Sequence, residues 1–156
     1  DTYFNVVNSY YVNFLYNKGV KKVTLSYELT IESIEDLIKS YKNKYNEEPN
    51  LEVVIYGKPE LMISKYCLLN TYVNKEKVCN ECTKDYYLVD KYNKKFPTRS
   101  EICYMKILNY KDINCLDKID KLQSIGVTNY KIILDRENIE EIKLIISALK
   151  IKENIL

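Results

Sequence analysis

Residues 19–25 read Gly-Val-Lys-Lys-Val-Thr-Leu, and residues 126–132 read Gly-Val-Thr-Asn-Tyr-Lys-Ile. Each stretch has a glycine, a valine, two polar residues and then a run with strand character. The glycine is typical of the left-handed residue that ends a helix, and the run after it is typical of a strand. The same joint used twice predicts repeated strand–helix units that pair as a parallel sheet.

Periodicity on either side of these joints predicts four such units. Leu51 to Tyr56 is almost continuously apolar, broken by Glu52 alone, which is typical of a strand covered on both faces. The other predicted strands are Tyr3–Val7, Lys21–Ser26 and Tyr130–Leu134. The predicted helices are Ser9–Lys18, Ile31–Tyr45, one through Leu116 and Ile125, and one capped by Asn138 with Ile139, Ile142, Ile146 and Leu149 inward.

The predicted fold class is α/β, as a partial TIM-like (β/α) barrel with about four parallel strand–helix units. We expect a single domain over 1–156, in which 1–57 and 115–156 form the units. Residues 58–114 form an insertion that carries cysteines and a small hairpin over 86–98. A complete barrel has eight units, so we expect a fragment of a longer chain. Its open seam would be covered by the missing N-terminal half or by a homo-oligomeric partner.

Composition excludes several classes of function. The chain has 156 residues, a net charge of +2 and no histidine. Without histidine, Ser-His-Asp and Cys-His catalysis and imidazole metal ligands are excluded. A net charge this small does not by itself predict nucleic-acid binding. No apolar stretch has membrane-span length and no signal peptide is visible, so we expect a cytoplasmic protein without membrane contact.

Four of the five cysteines suggest a metal site. Cys67, Cys79, Cys82 and Cys103 are separated by 11, 2 and 20 residues. A Cys-x-x-Cys pair brings two thiolates to one metal, and two further thiolates complete a four-sulfur shell for zinc or an iron–sulfur cluster. The alternative is a set of buried or free thiols. Cys115, beside Leu116 at a predicted helix start, is interpreted as a packing residue.

Polar residues follow the predicted strands and are candidates for a substrate site. In a βα barrel the carboxyl ends of the strands open on one face, where active sites lie. The alternative is ordinary helix capping, and for Glu52 it is a structural pairing with a lysine. The residues at strand ends are Asn5, Asn8, Ser26, Glu28, Tyr56, Asp135 and Arg136, and the catalytic candidates are Glu28, Glu52, Asp135 and Arg136.

The central part of the chain resembles the signature region of peptidase family U32. Glu52-Val53-Val54-Ile55-Tyr56-Gly57 is followed by the segment Leu61 to Asn70, and Glu52, Gly57, Cys67 and Leu69 stand at the family's spacing. Further similar stretches are Phe4–Ser9, Leu25–Leu29, Leu88–Lys91 with Phe96-Pro97, Gly126-Val127, Lys131-Ile132 and Asp135-Arg136.

The resemblance implies the later part of a TIM-like barrel and a collagenase-like peptidase. It also implies that Cys67, Cys79, Cys82 and Cys103 hold a four-iron four-sulfur cluster, as in relatives that assist hydroxylation of RNA bases or quinone precursors. The substrate would then be a peptide or an RNA. A non-catalytic thiol–zinc module that binds a partner is a third interpretation.

Overall fold

The computed structural model describes residues 1–73, 84–101 and 104–153. These residues form a mixed α/β fold, and they contain no closed barrel. The chain divides into two compact units. We call Asp1–Gly57 with Ile113–Leu156 the parallel unit and Lys58–Asp112 the antiparallel unit, after the main strand pairing in each.

The parallel unit is built on one four-stranded sheet. Its strands are β1 (Val23–Thr24), β2 (Leu51–Gly57), β7 (Ile113–Asn114) and β8 (Asn129–Ile132). The central strand β2 pairs in parallel with β1 on one side and with β8 on the other. The short strand β7 pairs antiparallel with the end of β2, and Val6 adds one parallel bridge to Leu25.

Four helices accompany this sheet: α1 (Ser9–Asn17), α2 (Ile31–Tyr45), α3 (Ile119–Ser124) and α4 (Ile139–Glu153). Helix α2 has the predicted bounds, since Thr30 Oγ1 accepts the Ser33 N–H and caps its first turn. Its buried residues pack with the core residues of the sheet: Ile34, Leu37, Ile38 and Tyr41.

The predicted first strand is wrong. Thr2–Phe4 form a 3-10 turn instead, in which the Asp1 side chain accepts the Thr2 N–H, and Asn5 closes the turn at φ 46°. Asparagine is among the few residues that adopt this left-handed conformation readily. The extended chain is thereby reduced to the single bridge at Val6.

The inward face of α4 also differs from the prediction. Asn138 and Glu141 form the capping box, with Glu141 N–H to Asn138 Oδ1 at 3.0 Å and Asn138 N–H to Glu141 Oε2 at 2.7 Å. However, Ile145 is the buried residue, whereas Ile139 is 71% exposed and Ile146 is 43% exposed. The apolar residues of α4 are distributed around the whole helix, so their spacing does not predict which face is buried.

The antiparallel unit contains a second four-stranded sheet. Its strands are β3 (Glu60–Ser64), β4 (Tyr86–Val89), β5 (Lys95–Glu101) and β6 (Tyr104–Leu108). They lie in the order β3-β6-β5-β4, and every pairing is antiparallel. Strands β4 and β5 are the hairpin that the sequence predicted, joined by the turn from Asp90 to Lys94.

Candidate functional site

The candidate site lies at the carboxyl edge of the parallel sheet. Because β1, β2 and β8 run parallel, their carboxyl ends open on one edge. Tyr56 lies near the end of β2, Glu28 follows β1, and Asp135 and Arg136 follow β8. We call these four residues the carboxyl-edge site.

Glu28 is an exposed carboxylate on a fixed backbone. The turn that carries it is anchored by Ser26, which is buried and donates its N–H to Val6 O at 3.0 Å. The Glu28 N–H in turn donates to Ser26 Oγ at 3.3 Å. The carboxylate therefore faces solvent from a position that the sheet itself fixes.

Asp135 and Arg136 lie where the chain leaves β8. The Asp135 N–H donates to Glu137 Oε2 at 2.6 Å, which closes a tight turn. Asp135 is half-buried and Arg136 is exposed. A carboxylate residue and a guanidinium residue therefore follow β8 closely in the chain.

Gly57 holds the ends of β2 and β8 together. The Ile133 N–H donates to Tyr56 O at 2.9 Å, just past the regular pairing of the two strands. A Cβ on Gly57 would lie 2.4 Å from Ile133 O and 2.7 Å from Ile133 Cβ, and its φ of +133° is strained for any other residue. Glycine is therefore required for the chain after β8 to approach the end of β2.

Two of the polar residues at strand ends have structural roles. Asn8 caps α1, because its Oδ1 accepts the Tyr11 N–H at 2.9 Å. Asn5 is the left-handed residue that closes the first turn. For these two asparagines the capping interpretation describes the observed contacts.

Glu52 lies toward the amino end of β2, about 13 Å along the strand from Tyr56. Its carboxylate accepts from Lys22 Nζ at 2.6 Å and from Thr24 Oγ1 at 2.8 Å. Burial raises the pKa of this carboxyl, but the hydrogen bonds from Lys22 and Thr24 outweigh burial, so the net shift is downward. The lysine pairing that the sequence left open is thus present.

The neighbours of Glu52 other than a lysine were not predicted from the sequence. Val23, Leu25, Leu51 and Ile55 pack with the helices, so the residues that alternate with them point to the other face of the sheet. That face carries Thr24 and Glu52, and Lys131 lies near enough to lower the pKa of Glu52 further. Lys131 Nζ also pairs with Asp1 Oδ1 at 2.7 Å. The alternation of side chains along the strands was the sequence feature that could have predicted this polar face.

Of the four predicted metal ligands, Cys67 alone lies in the described residues. Cys67 is half-buried, and its Sγ accepts the Asn70 N–H at 3.4 Å. Cys79, Cys82 and Cys103 lie outside the described residues, so the four-sulfur site stays a prediction. The part of the chain that the structure describes contains no group of three or more potential metal ligands.

Cys115 is half-buried and packs against the core of the parallel unit, in agreement with its predicted packing role. Its N–H donates to Ile55 O at 2.8 Å. Burial, followed by the nearby Asp117 charge, raises the pKa of the Cys115 thiol. A raised pKa lowers the thiolate fraction near neutral pH, which agrees with a packing role.

No helix in residues 1–73, 84–101 and 104–153 is long and apolar enough to cross a membrane. Among known proteins, the sequence model of peptidase family U32 matches residues 1–151, nearly the whole chain. No curated protein and no solved structure matches it.

Proposed function

Because the chain belongs to peptidase family U32, we propose that it takes part in peptide-bond hydrolysis at the carboxyl-edge site. One observation supports this location above the others. Strands β1, β2 and β8 run parallel, and Glu28, Tyr56, Asp135 and Arg136 lie at or after the carboxyl ends of these strands. Substrate sites in parallel α/β proteins lie at such edges.

The proposed reaction needs a base, and the chain has no histidine to supply one. Glu28 is assigned that role, because its carboxylate is exposed while its backbone is anchored through Ser26. The carboxylate takes a proton from a water molecule, and the water oxygen attacks the scissile carbonyl carbon. The same proton then passes to the leaving amine nitrogen as the C–N bond breaks.

Arg136 and Asp135 act on the substrate in this proposal. The Arg136 guanidinium stabilises the negative charge that develops on the carbonyl oxygen during attack. Strands β1 and β8 flank β2, so Glu28 and Asp135 leave strands that are roughly 10 Å apart. Asp135 is assigned the role of accepting hydrogen bonds from the main chain of the peptide.

Glu52 is assigned a stabilising role. Its carboxylate lies toward the amino end of β2 and already has two hydrogen-bond donors, Lys22 and Thr24. A base must be free to take a proton from substrate or water. The paired carboxylate of Glu52 meets that requirement less well than Glu28 does.

The cysteine site is a separate proposal. Cys67 Sγ accepts the Asn70 N–H, and hydrogen bonds to sulfur accompany cysteine ligands in iron–sulfur proteins. Cys67, Cys79, Cys82 and Cys103 would together hold a four-iron four-sulfur cluster or zinc, which would cross-link the segment that carries them. We assign this site no step in hydrolysis.

Digestion of gelatin and casein tests the proposed activity. The wild-type chain is compared with a variant in which all four cysteines are serine, and the products are identified by mass spectrometry. We expect new peptides from both proteins, since the carboxyl-edge site contains no cysteine. Iron and zinc analysis of anaerobically purified protein then tests the cysteine site independently.

Two results would contradict these proposals. Absence of new peptides from the wild-type protein would refute hydrolysis of these substrates. Loss of digestion in a folded cysteine variant would show that the cysteine site takes part in the reaction, contrary to the assignment above. Protein with neither iron nor zinc would refute the four-sulfur site.

A further inference from the structure

The two units carry opposite charge. Residues 58–112 contain 11 Lys and Arg against 7 Asp and Glu, a net charge of +4. The rest of the chain contains 13 Lys and Arg against 15 Asp and Glu, a net charge of −2. The small charge of the whole chain therefore conceals a basic antiparallel unit, and basic regions of this kind attract polyanions.

Part of this positive charge lies at the tip of the β4–β5 hairpin. Residues 86–98 contain three lysines, and Asp90 is their one acid. The Asp90 carboxylate accepts the N–H groups of Tyr92 at 2.8 Å and Lys94 at 2.9 Å, so it shapes the turn. Lys91 and Lys94, which both belong to this turn, are exposed.

Aromatic rings lie beside these lysines. Lys91 Nζ is 4.9 Å from the centre of the Tyr92 ring, and Lys94 Nζ is 5.0 Å from that of Tyr110. Tyr110 also meets Phe96 edge to face, with 5.4 Å between ring centres. Tyr92 is 69% exposed and Tyr110 is 45% exposed. We call Lys91, Tyr92, Lys94, Phe96 and Tyr110 the hairpin patch.

We propose that the hairpin patch binds single-stranded nucleic acid with little sequence preference. Ammonium groups that alternate with exposed rings match a chain in which phosphates alternate with flat bases. Tyr92 contacts Lys91 and is still 69% exposed, so its ring offers surface on which a base can stack. An acidic peptide would use the lysines and leave the rings unused, so the rings favour nucleic acid. This binding is independent of the hydrolysis proposed above.

Fluorescence anisotropy with labelled U12 and dT12 oligonucleotides tests the proposal. The wild-type chain is expected to bind both at 50 mM KCl and to bind more weakly at 200 mM, because bound phosphates release counterions. Tyr92→Ala is expected to weaken binding roughly 5- to 100-fold through lost stacking, with the salt slope unchanged. Lys91→Gln with Lys94→Gln is expected to reduce the salt slope by about 1 to 2.

Tyr72→Ala is the matched control, since Tyr72 is 74% exposed in the same unit and lies outside the patch. It is expected to bind like the wild type. Lack of oligonucleotide binding by the wild-type chain at 50 mM KCl would overturn the proposal. So would equal binding by wild-type and Tyr92→Ala protein, or equally effective displacement of U12 by polyglutamate, which would indicate an acidic-peptide surface. Circular dichroism melting verifies that each variant is folded.

Discussion

Glu52 lies in an apolar strand with its carboxylate held by Lys22 and Thr24, and its side chain is only 13% exposed. These hydrogen bonds overcome the opposing effect of burial and lower the pKa of its carboxyl. A carboxyl whose pKa is lower when folded stabilises the fold above its unfolded pKa, about 4.3. That stabilisation is lost as the pH falls through the folded pKa.

Replacing Glu52 by Gln should therefore destabilise the protein in a pH-dependent way. We expect the free energy of unfolding to fall by about 1–2 kcal/mol at pH 7, because the charge-assisted hydrogen bonds are lost. The difference from wild type should shrink as the pH falls below about 4.3. Urea unfolding at pH 7 and in acid measures both values. A difference that is equal at the two pH values would contradict this role.

Glu47→Gln serves as the control, since Glu47 is exposed on the same unit. An exposed substitution of this kind is expected to change the free energy of unfolding by less than about 0.5 kcal/mol. The comparison separates the specific pairing of Glu52 from the general effect of removing one negative charge.

At the scale of the elements, Gly57 joins the end of β2 to the chain that leaves β8. A Cβ at this position would collide with Ile133 backbone, and the φ of +133° disfavours any side chain. Gly57→Ala is expected to lower the free energy of unfolding by about 3 kcal/mol. Thermal or urea unfolding measures the change.

Gly19→Ala is the matched control for Gly57→Ala. Gly19 also has a positive φ, +87°, but no atom lies within 4 Å of the position that its Cβ would occupy. It should cost about 1 kcal/mol through backbone strain alone. Equal destabilisation by the two variants would show that the contact with Ile133 contributes nothing.

Helices whose start and buried face are both marked in the sequence could be predicted. Helix α2 has a capping threonine and a single apolar face, so its bounds and its core residues follow from the sequence. Helix α4 has a clear cap, but its own apolar residues lie on all sides. Its buried face is therefore determined by packing with the rest of the fold. The prediction of a first strand was wrong because Asn5 turns the chain at φ 46°. β-Strand propensity does not describe this conformation.

The candidate site could be predicted only in part for a similar reason. The repeated joint at Gly19 and Gly126 predicts the parallel pairing, so it predicts that Glu28, Asp135 and Arg136 follow the carboxyl ends of parallel strands. The partners of Glu52 depend on the register between β1 and β2. That register depends on contacts between residues distant in sequence, and local sequence patterns do not predict such contacts.

At the scale of the whole molecule, the sequence combines two units of different construction and charge. The parallel unit carries the carboxyl-edge site, and the basic antiparallel unit carries the hairpin patch and Cys67. The insertion between β2 and β7 leaves the parallel pairing of β1, β2 and β8 uninterrupted. A partial barrel is our proposal for the architecture that the parallel unit belongs to.

Glu28 is proposed as the base of a hydrolytic site at the carboxyl edge. The most direct test is kcat/KM for cleavage of a peptide found in the digests, measured for wild-type and Glu28→Gln protein. Since general-base catalysis contributes about 10²- to 10⁴-fold, we expect kcat/KM to fall by at least about 100-fold while the unfolding curve stays unchanged. Equal kcat/KM for the two folded proteins would contradict the account.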